Sequence, residues 1–299
     1  MKKNRNENNL GIRFWYGTKI GNRILQWILE HHVDFLIVLL LESCLSKLWI
    51  PFYIRKHGIS MREFEGQSYG SFAEFFVRKR PDVAVDLFPG HLISPCDGWL
   101  SAYPIERDSS FYIKGFHYRL EDFLLKNTVE IATNGAIYTQ ETSLCQAFDG
   151  GACLIFRLCA SDYHHYCYID DGFQGEHHYI PGELHSVQPL ACETYPVYTL
   201  NRREWSLLES EHFGPVIQVE IGALIVGGIV NEQENTRVKK GMEKGRFELC
   251  GSTIVLLFQK NQIQLLPEVK KILSKGEEFR VKQGMWIGNR AARLESSEK

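Results

Sequence analysis

The segment Leu249-Cys250-Gly251-Ser252-Thr253 runs directly into the apolar stretch Ile254-Val255-Leu256-Leu257-Phe258. A short apolar run that follows a turn signal is typical of a buried strand, and the glycine at position 251 gives the backbone the freedom that a tight turn needs. We therefore expect Ser252 to carry its hydroxyl on a tight turn at the start of a buried strand.

That position would bring the Ser252 hydroxyl close to the carbonyl that precedes it. If Oγ attacks the Gly251 carbonyl, the peptide bond becomes an ester. Elimination then releases Gly251 as a new C-terminus, and hydrolysis of the dehydrated serine leaves an N-terminal pyruvoyl group. The chain would make its own cofactor. Because Gly-Ser-Thr is also a common turn tripeptide, this motif needs support from its context.

The composition is that of a folded globular protein. The 299 residues are 44% hydrophobic and 23% charged, which is enough for one large domain or two modest ones. With 34 basic and 36 acidic residues the net charge is -2, so charge gives no reason to expect a nucleic-acid partner. The eight cysteines form no Cys-x-x-Cys pair and no compact disulfide framework, which favours a reducing location on the cytoplasmic side.

The N-terminal region has the pattern of amphipathic helices. Apolar residues recur at helical spacing over residues 20–48, and the longest apolar run, residues 35–41, is far shorter than the ~20 residues of a spanning helix. No cleavable signal peptide is expected. The basic residues beside these helices are Lys19, Arg23, Lys47, Arg55 and Lys56. Such helices can dock on an anionic membrane surface or simply pack on the domain, and the sequence leaves both open.

The pattern changes from helices to strands after Pro81. Residues 71–78 continue the helical pattern and Pro81 ends it. Short strands and turns follow, with Asp97 expected at the tip of an Asp-Gly turn and residues 239–247 expected to form a polar loop. The fold class is therefore predicted as α+β, with N-terminal helices followed by a mostly antiparallel β body.

Five histidines and one cysteine raise the question of a zinc site. They are His164, His165, His177, His178, His185 and Cys167. Their spacing fits no standard ligand set, and adjacent histidines in an extended segment point to opposite faces. No metal site is predicted.

Several ordered blocks together resemble a known family. The blocks are residues 71–78, 94–98, 114–115, 157–168, 222–227, 240–247 and 250–253. From about Ser71 to Gly288 the chain resembles phosphatidylserine decarboxylase proenzymes of the bacterial kind that have a longer N-terminal region. Blocks in a conserved order are far more specific than any one of them alone.

The resemblance implies an activity and a processing event. The proenzyme would be cut between Gly251 and Ser252 into a β chain, residues 1–251, and an α chain, residues 252–299, that begins with the pyruvoyl group. It would convert phosphatidylserine to phosphatidylethanolamine and CO2 through a Schiff base. Residues 1–70 would be a helical membrane-associating region, and residues 71–299 the decarboxylase domain. The α/β heterodimer would lie peripherally on the cytoplasmic side of the cell membrane, with a higher oligomer left open.

The family's processing triad carries over only in part. It comprises an Asp in the Pro-x-Asp-Gly block, a His in the Tyr-His block and the Ser, which point to Asp97 and Ser252. His164 matches the first of two family histidines three residues apart, but Cys167 stands in place of the second, to which the family assigns the base. Three interpretations remain open: His164 or His165 takes the role, Cys167 acts as a weaker base, or processing is slow or lost.

Two other functions stay open at this point. One is an unprocessed, non-catalytic membrane-binding relative that keeps the fold. The other is a serine hydrolase that uses Asp97, a histidine and Ser252 on external substrates. The second is disfavoured because Ser252 lies outside a Gly-x-Ser-x-Gly context.

Overall fold

The computed structural model describes residues 10–31, 34–126, 128–133, 138–223, 228–249 and 252–292. Its N-terminal part is helical, as the apolar spacing predicts. The α-helices there are α1 (Leu10–Gly17), α2 (Lys19–Glu30), α3 (Asp34–Glu42), α4 (Ile50–His57) and α5 (Phe72–Phe76), and the 3-10 helices are Cys44–Trp49 and Arg62–Phe64. Local signals set the ends of two of these helices. The Thr18 side chain accepts a hydrogen bond from Gly21 N at the start of α2, and Gly58 closes α4 in the left-handed conformation.

The rest of the chain is mainly strand. Its helices are short: α6 (Leu120–Leu124), α7 (Leu144–Phe148), α8 (Pro189–Thr194), α9 (Val197–Leu200) and α10 (Pro267–Leu273). The first nine strands are β1 (His91–Ile93), β2 (Gly98–Pro104), β3 (Ser110–Ile113), β4 (Phe116–Arg119), β5 (Thr128–Thr133), β6 (Tyr138–Ser143), β7 (Ala152–Leu158), β8 (His165–Cys167) and β9 (Gly172–Ile180). The others are β10 (Arg203–Ser210), β11 (Gly214–Gly222), β12 (Gly228–Asn231), β13 (Thr236–Val238), β14 (Glu243–Glu248), β15 (Ser252–Phe258), β16 (Ile263–Leu265), β17 (Phe279–Val281) and β18 (Trp286–Arg290).

One eight-stranded sheet organises the β body. Its order is β13-β9-β10-β11-β15-β7-β2-β17, and every neighbouring pair is antiparallel. Smaller sheets, β1-β18-β16 and β12-β14-β8, and the hairpins β3-β4 and β5-β6 surround it. The predicted α+β class with a mostly antiparallel body is confirmed.

Strand β15 lies inside the large sheet, and all of its residues are buried. Successive side chains point to opposite faces of a sheet. Ile254, Leu256 and Phe258 pack into a core that also holds Tyr166 and Phe247 of the sheet β12-β14-β8. Val255 and Leu257 pack into a second core on the opposite face. Ser252 shares its face with Ile254, so its side chain points toward the first core.

The N-terminal helices pack on the β body through a third cluster. The buried members are Leu41, Ile50, Phe72, Phe75, Phe76 and Leu249. Both sides of the predicted boundary at residue 70 contribute to this cluster, and the division into two regions stays a prediction. Over the described residues, no single helix is long and apolar enough to cross a membrane. One pair of helical segments is long and apolar enough when taken together, by length and composition only. The pair is Leu36–Glu42 and Cys44–His57, with a bend of 75° between them.

Two local expectations were wrong. Residues 239–247 were expected to be a loop, but β14 begins at Glu243, because its backbone pairs with both β12 and β8. Asp97 was expected at the tip of an Asp-Gly turn that joins two strands; it lies between β1 and β2, but it is fully buried. The strands on either side of it, β1 and β2, belong to different sheets and form no hairpin, and basic side chains from elsewhere in the chain cover the carboxylate.

Candidate active site

Ser252 is the first residue of β15, and its hydroxyl is buried without a partner. Its backbone pairs with Gly222 of β11 on one side and with Leu158 of β7 on the other. Oγ has no hydrogen-bond partner among the described residues. Buried hydroxyl groups are nearly always hydrogen-bonded, so an orphaned one needs an explanation. Gly222, the neighbour of Ser252 on β11, has no side chain.

Asp97 directly precedes Gly98, which lies two strands away from Ser252 in the large sheet. Trp99 of β2 pairs with Arg157 of β7, so Gly98 lies beside Leu158, the cross-strand neighbour of Ser252. Two strand spacings of about 4.8 Å separate the backbones of Ser252 and Gly98, about 10 Å in all. The structure therefore brings Asp97, next to Gly98, into the neighbourhood of Ser252, without a hydrogen bond between their side chains.

The Asp97 carboxylate is held by two cations and one backbone amide. Arg80 donates to both oxygens at 3.1 and 2.8 Å, Lys282 Nζ donates at 2.8 Å and Gln283 N at 3.0 Å. Burial by itself would raise the pKa of the Asp97 carboxyl, but Arg80, Lys282 and the amide outweigh it and lower the pKa to about 2. Asp97 is therefore a fixed anion at neutral pH, and it is a poor proton acceptor.

His164 is fully buried with one ring nitrogen free. Its Nδ1 lies 3.0 Å from the Asp162 carbonyl oxygen, which can only accept, so Nδ1 carries the proton. Nε2 is buried and has no hydrogen-bond partner in the part of the chain that the structure describes. Burial lowers the pKa of the His164 imidazole to about 4. At neutral pH the ring is neutral, with an unshared lone pair on Nε2.

Cys167 is buried beside Gln283. Burial raises the pKa of the Cys167 thiol to about 12, and the Gln283 side chain opposes this only in part. Cys167 and Asp97 therefore share a neighbour, because Gln283 N also binds the Asp97 carboxylate. At neutral pH Cys167 is a thiol and cannot accept a proton. Of the residue types proposed for the base, an imidazole fits better.

His165 has a different environment from His164. Its Nδ1 lies 2.6 Å from Glu243 Oε1 and its Nε2 lies 3.0 Å from the Val77 carbonyl oxygen. Both ring nitrogens are engaged, so His165 has no free nitrogen for proton transfer. Within the described ranges, no group of three or more His, Cys, Asp or Glu side chains could hold a metal ion.

One polar pair near Ser252 was not predicted from the sequence. Lys244 Nζ lies 2.9 Å from Glu220 Oε1 and 3.0 Å from Asn231 Oδ1, and both charged side chains are at most 1% exposed. Glu220 pairs with Ile254, so it lies two residues along the sheet from Ser252 and on the same face. Glu220 and Ser252 are 32 positions apart in the sequence, and only the pairing of β11 with β15 would have revealed that they are close.

Gly251, the other residue of the predicted cleavage site, lies outside the described residues. The geometry at Ser252 separates this protein from a serine hydrolase, in which a histidine hydrogen-bonds the nucleophile and a carboxylate hydrogen-bonds that histidine. Here the carboxylate binds Arg80 and Lys282. Fold and site instead define an α+β protein with an isolated buried serine at the start of a central strand.

Comparisons with known proteins give the family. The model of the phosphatidylserine decarboxylase family matches residues 72–289. Phosphatidylserine decarboxylase proenzyme 2 of Clostridium acetobutylicum is 35% identical over 93% of this chain and 91% of its own length. The proenzymes of Clostridium novyi and Clostridium botulinum are 35% and 33% identical over 90% and 93% of this chain, and over 94% and 92% of their own lengths.

This chain belongs to the phosphatidylserine decarboxylase family. The resemblance drawn from the ordered blocks, which spans about Ser71 to Gly288, is confirmed, as is the enzyme class of carboxy-lyase. The roles of Ser252, Asp97, His164 and Cys167 stay predictions.

Proposed function

We propose that this protein is made as a proenzyme, cuts itself between Gly251 and Ser252, and then decarboxylates phosphatidylserine to phosphatidylethanolamine. Membership of the family supports the decarboxylation, and the relatives are named as proenzymes. The observation that carries self-processing is the buried Ser252 Oγ at the start of β15, which has no hydrogen-bond partner among the described residues. Because this hydroxyl makes no such hydrogen bond, none has to be broken when Oγ moves to attack a carbonyl carbon.

Self-processing needs a base for the Ser252 hydroxyl proton. Oγ would attack the Gly251 carbonyl carbon and the peptide C–N bond would break, so the Gly251 acyl group would move to Oγ as an ester and the freed nitrogen of residue 252 would take up a proton. Loss of the Cα proton and breaking of the Cβ–Oγ bond would then release Gly251 as a carboxylate and cut the chain. We assign the base to His164, because its Nε2 is unprotonated and free at neutral pH. The Cys167 thiol, with a pKa of about 12, is too weakly acidic to be present as the thiolate.

Asp97 would act through its charge. Three donors hold its carboxylate, so it fixes the segment between β1 and β2 and keeps a permanent anion near the site. A fixed anion favours positive charge that develops on a nearby imidazole. Arg80 also binds Glu63, which ties this carboxylate to the N-terminal region.

The residues present fit a pyruvoyl group at position 252. Its cross-strand neighbour Gly222 has no side chain, and Ser252 Oγ has no hydrogen-bond partner among the described residues. Such a group supplies a ketone carbonyl that forms a Schiff base with a primary amine and withdraws electrons as CO2 leaves. His164, as a neutral imidazole, could hold or return a proton close to that position.

The N-terminal helices supply a surface suited to a lipid bilayer. The exposed large apolar side chains in this region are Phe14, Ile20, Ile24, Trp27, Leu36, Leu39, Leu40, Leu45, Leu48, Trp49 and Phe52. Monomeric proteins rarely expose so many large apolar residues in one region. With the flanking basic residues, this surface supports peripheral binding to an anionic membrane. The cytoplasmic side is favoured because the sequence has no compact disulfide framework.

The intact mass of the purified protein under denaturing conditions tests the proposal. We expect two fragments, the smaller matching residues 252–299 less one ammonia, and release of CO2 from vesicles that contain phosphatidylserine. Ser252→Ala should give one uncut chain without activity. Thr253→Ala is the matched control, because its hydroxyl is also buried and unpartnered but points to the opposite face.

An uncut wild-type chain would contradict the proposal. One observation favours the non-catalytic membrane-binding relative in that case: the buried Cys167 thiol stands in place of the family's second histidine. That relative would bind anionic vesicles as an intact chain and release no CO2. If the chain is cut but decarboxylates another amine and not phosphatidylserine in vesicles, the proposed self-cleavage stands and the proposed substrate is wrong.

A further inference from the structure

Leu249, three residues before Ser252, has an unusual backbone conformation. Its φ is 49°, in the left-handed region, at the point where β14 ends. Leucine rarely adopts this region, because its Cβ crowds the following carbonyl oxygen. A residue is held in such a conformation only when its surroundings fix it.

The surroundings that fix Leu249 come from the N-terminal helices. Its side chain is 3% exposed and belongs to the cluster formed by Leu41 of α3, Ile50 of α4 and three phenylalanines of α5. A Leu side chain buried in this way anchors the backbone on which it sits. The conformation of the chain just before the predicted cut therefore depends on the packing of α3, α4 and α5.

The same cluster touches the predicted base. The ring of Phe76 lies 4.3 Å from the ring of His164, centroid to centroid. Phe247 N, two residues before Leu249, donates to the His164 carbonyl oxygen at 2.9 Å. One packed unit thus contains Leu249, two residues before Gly251 and the predicted scissile bond, and contacts the imidazole that would accept the proton.

We propose that Leu249 is a positioning residue for self-cleavage. Its buried side chain fixes the left-handed turn that sets the direction in which the chain leaves β14 toward Ser252. This inference rests on the proposed self-cleavage. It adds that the N-terminal helices are part of the processing machinery, because they hold Leu249 in place. After the cut, Leu249 is two residues from a new chain end, and its positioning role is over.

The test separates the anchor from the backbone conformation. Leu249→Gly permits the left-handed turn but removes the anchor, and Leu249→Val keeps apolar volume but disfavours the turn, since β-branched residues are outliers there. Both should lengthen the half-time of cleavage at least about tenfold. Leu249→Met, which keeps volume and has an unbranched Cβ, should stay within about twofold. Cleavage is followed by denaturing gel after pulse-labelled cell-free synthesis.

Two controls distinguish positioning from general destabilisation. Leu124→Ala truncates a leucine equally buried in the core on the opposite face of the sheet, and should lower the melting temperature without slowing cleavage. Decarboxylation per cleaved protomer should be unchanged in every Leu249 variant, because the turn acts only before the cut. A purely structural role would instead reduce turnover and melting temperature together.

The outcomes assign failure clearly. If the wild-type chain is never cut, the proposed self-cleavage fails. If the wild type is cut and the Gly and Val variants are cut at the wild-type rate, only the role of Leu249 is overturned. If Leu249→Gly does not fold, the comparison of Leu249→Val with Leu249→Met still tests the role of Leu249, because both variants keep the cluster filled and only the valine disfavours the left-handed turn.

Discussion

Removing the Lys244 charge should destabilise the fold strongly. Lys244→Met would leave Glu220 buried and uncompensated, since Gln218 would remain its one hydrogen-bond donor among the described residues. Breaking a buried pair on one side costs about 3–5 kcal/mol, whereas replacing both partners by apolar residues is often neutral. An unfolding entropy of about 2.1 cal/mol/K per residue over 299 residues gives about 0.6 kcal/mol/K. We therefore expect a loss of about 5–8 °C in melting temperature.

The assay is a thermal melt of each variant in the Ser252→Ala background, which keeps a single uncut chain. Lys244→Met paired with Glu220→Leu should recover most of the loss. Lys239→Met is the matched control, because the exposed Lys239–Asp171 pair at 2.7 Å should give no resolvable shift. A shift below about 2 °C for Lys244→Met, or a double variant less stable than either single variant, would refute the reasoning.

Three further expectations concern proton transfer and charge. Because the pKa of His164 is about 4, about nine-tenths of its imidazole is unprotonated at pH 5. The rate of cleavage in a pH-stepped cell-free reaction should therefore fall only below about pH 5. A rate profile with its midpoint near pH 6.5 would contradict this. Cys167→His should speed cleavage on the same gel assay and Cys167→Ser should leave it unchanged; loss in the serine variant would make the thiol essential. The lowered pKa of Asp97 contributes about 2 kcal/mol of stability above pH 3.8, and this contribution is lost as the pH falls toward 2. The urea midpoints of Asp97→Asn and its parent, both in the Ser252→Ala background, should therefore converge as the pH falls from about 4 to about 2.

Strong local patterns in the sequence predicted the main elements. The apolar run after Ser252 became β15, the helical spacing near the N-terminus became α2 and α3, and the mostly antiparallel body was confirmed. These elements have periods or apolar runs that a single segment reveals. The ordered blocks likewise fixed the family, because each keeps its chemistry within a few residues.

Long-range packing lay beyond the sequence. Asp97 was expected at a turn tip because an Asp-Gly pair is a turn signal, but Arg80 and Lys282, from distant parts of the chain, bind its buried carboxylate. Residues 243–247 were predicted to be part of a polar loop because they include a glycine and several charged residues. They form a strand because β12 and β8, which lie in other parts of the sequence, pair with them. The choice between His164 and Cys167 as base depended on burial and on which ring nitrogen is free, neither of which spacing can show.

The place of β15 inside the large sheet decides what a cut before Ser252 would do to the molecule. The strand pairs along seven residues with β11 and along seven with β7. Farther along the same fragment, Arg280 binds Asp162, and Lys282 binds Asp97. A cut at this point would be a nick in an interlocked body. The short fragment could dissociate only if β15 lost its pairing with both β11 and β7. The two fragments would therefore unfold together, as one molecule.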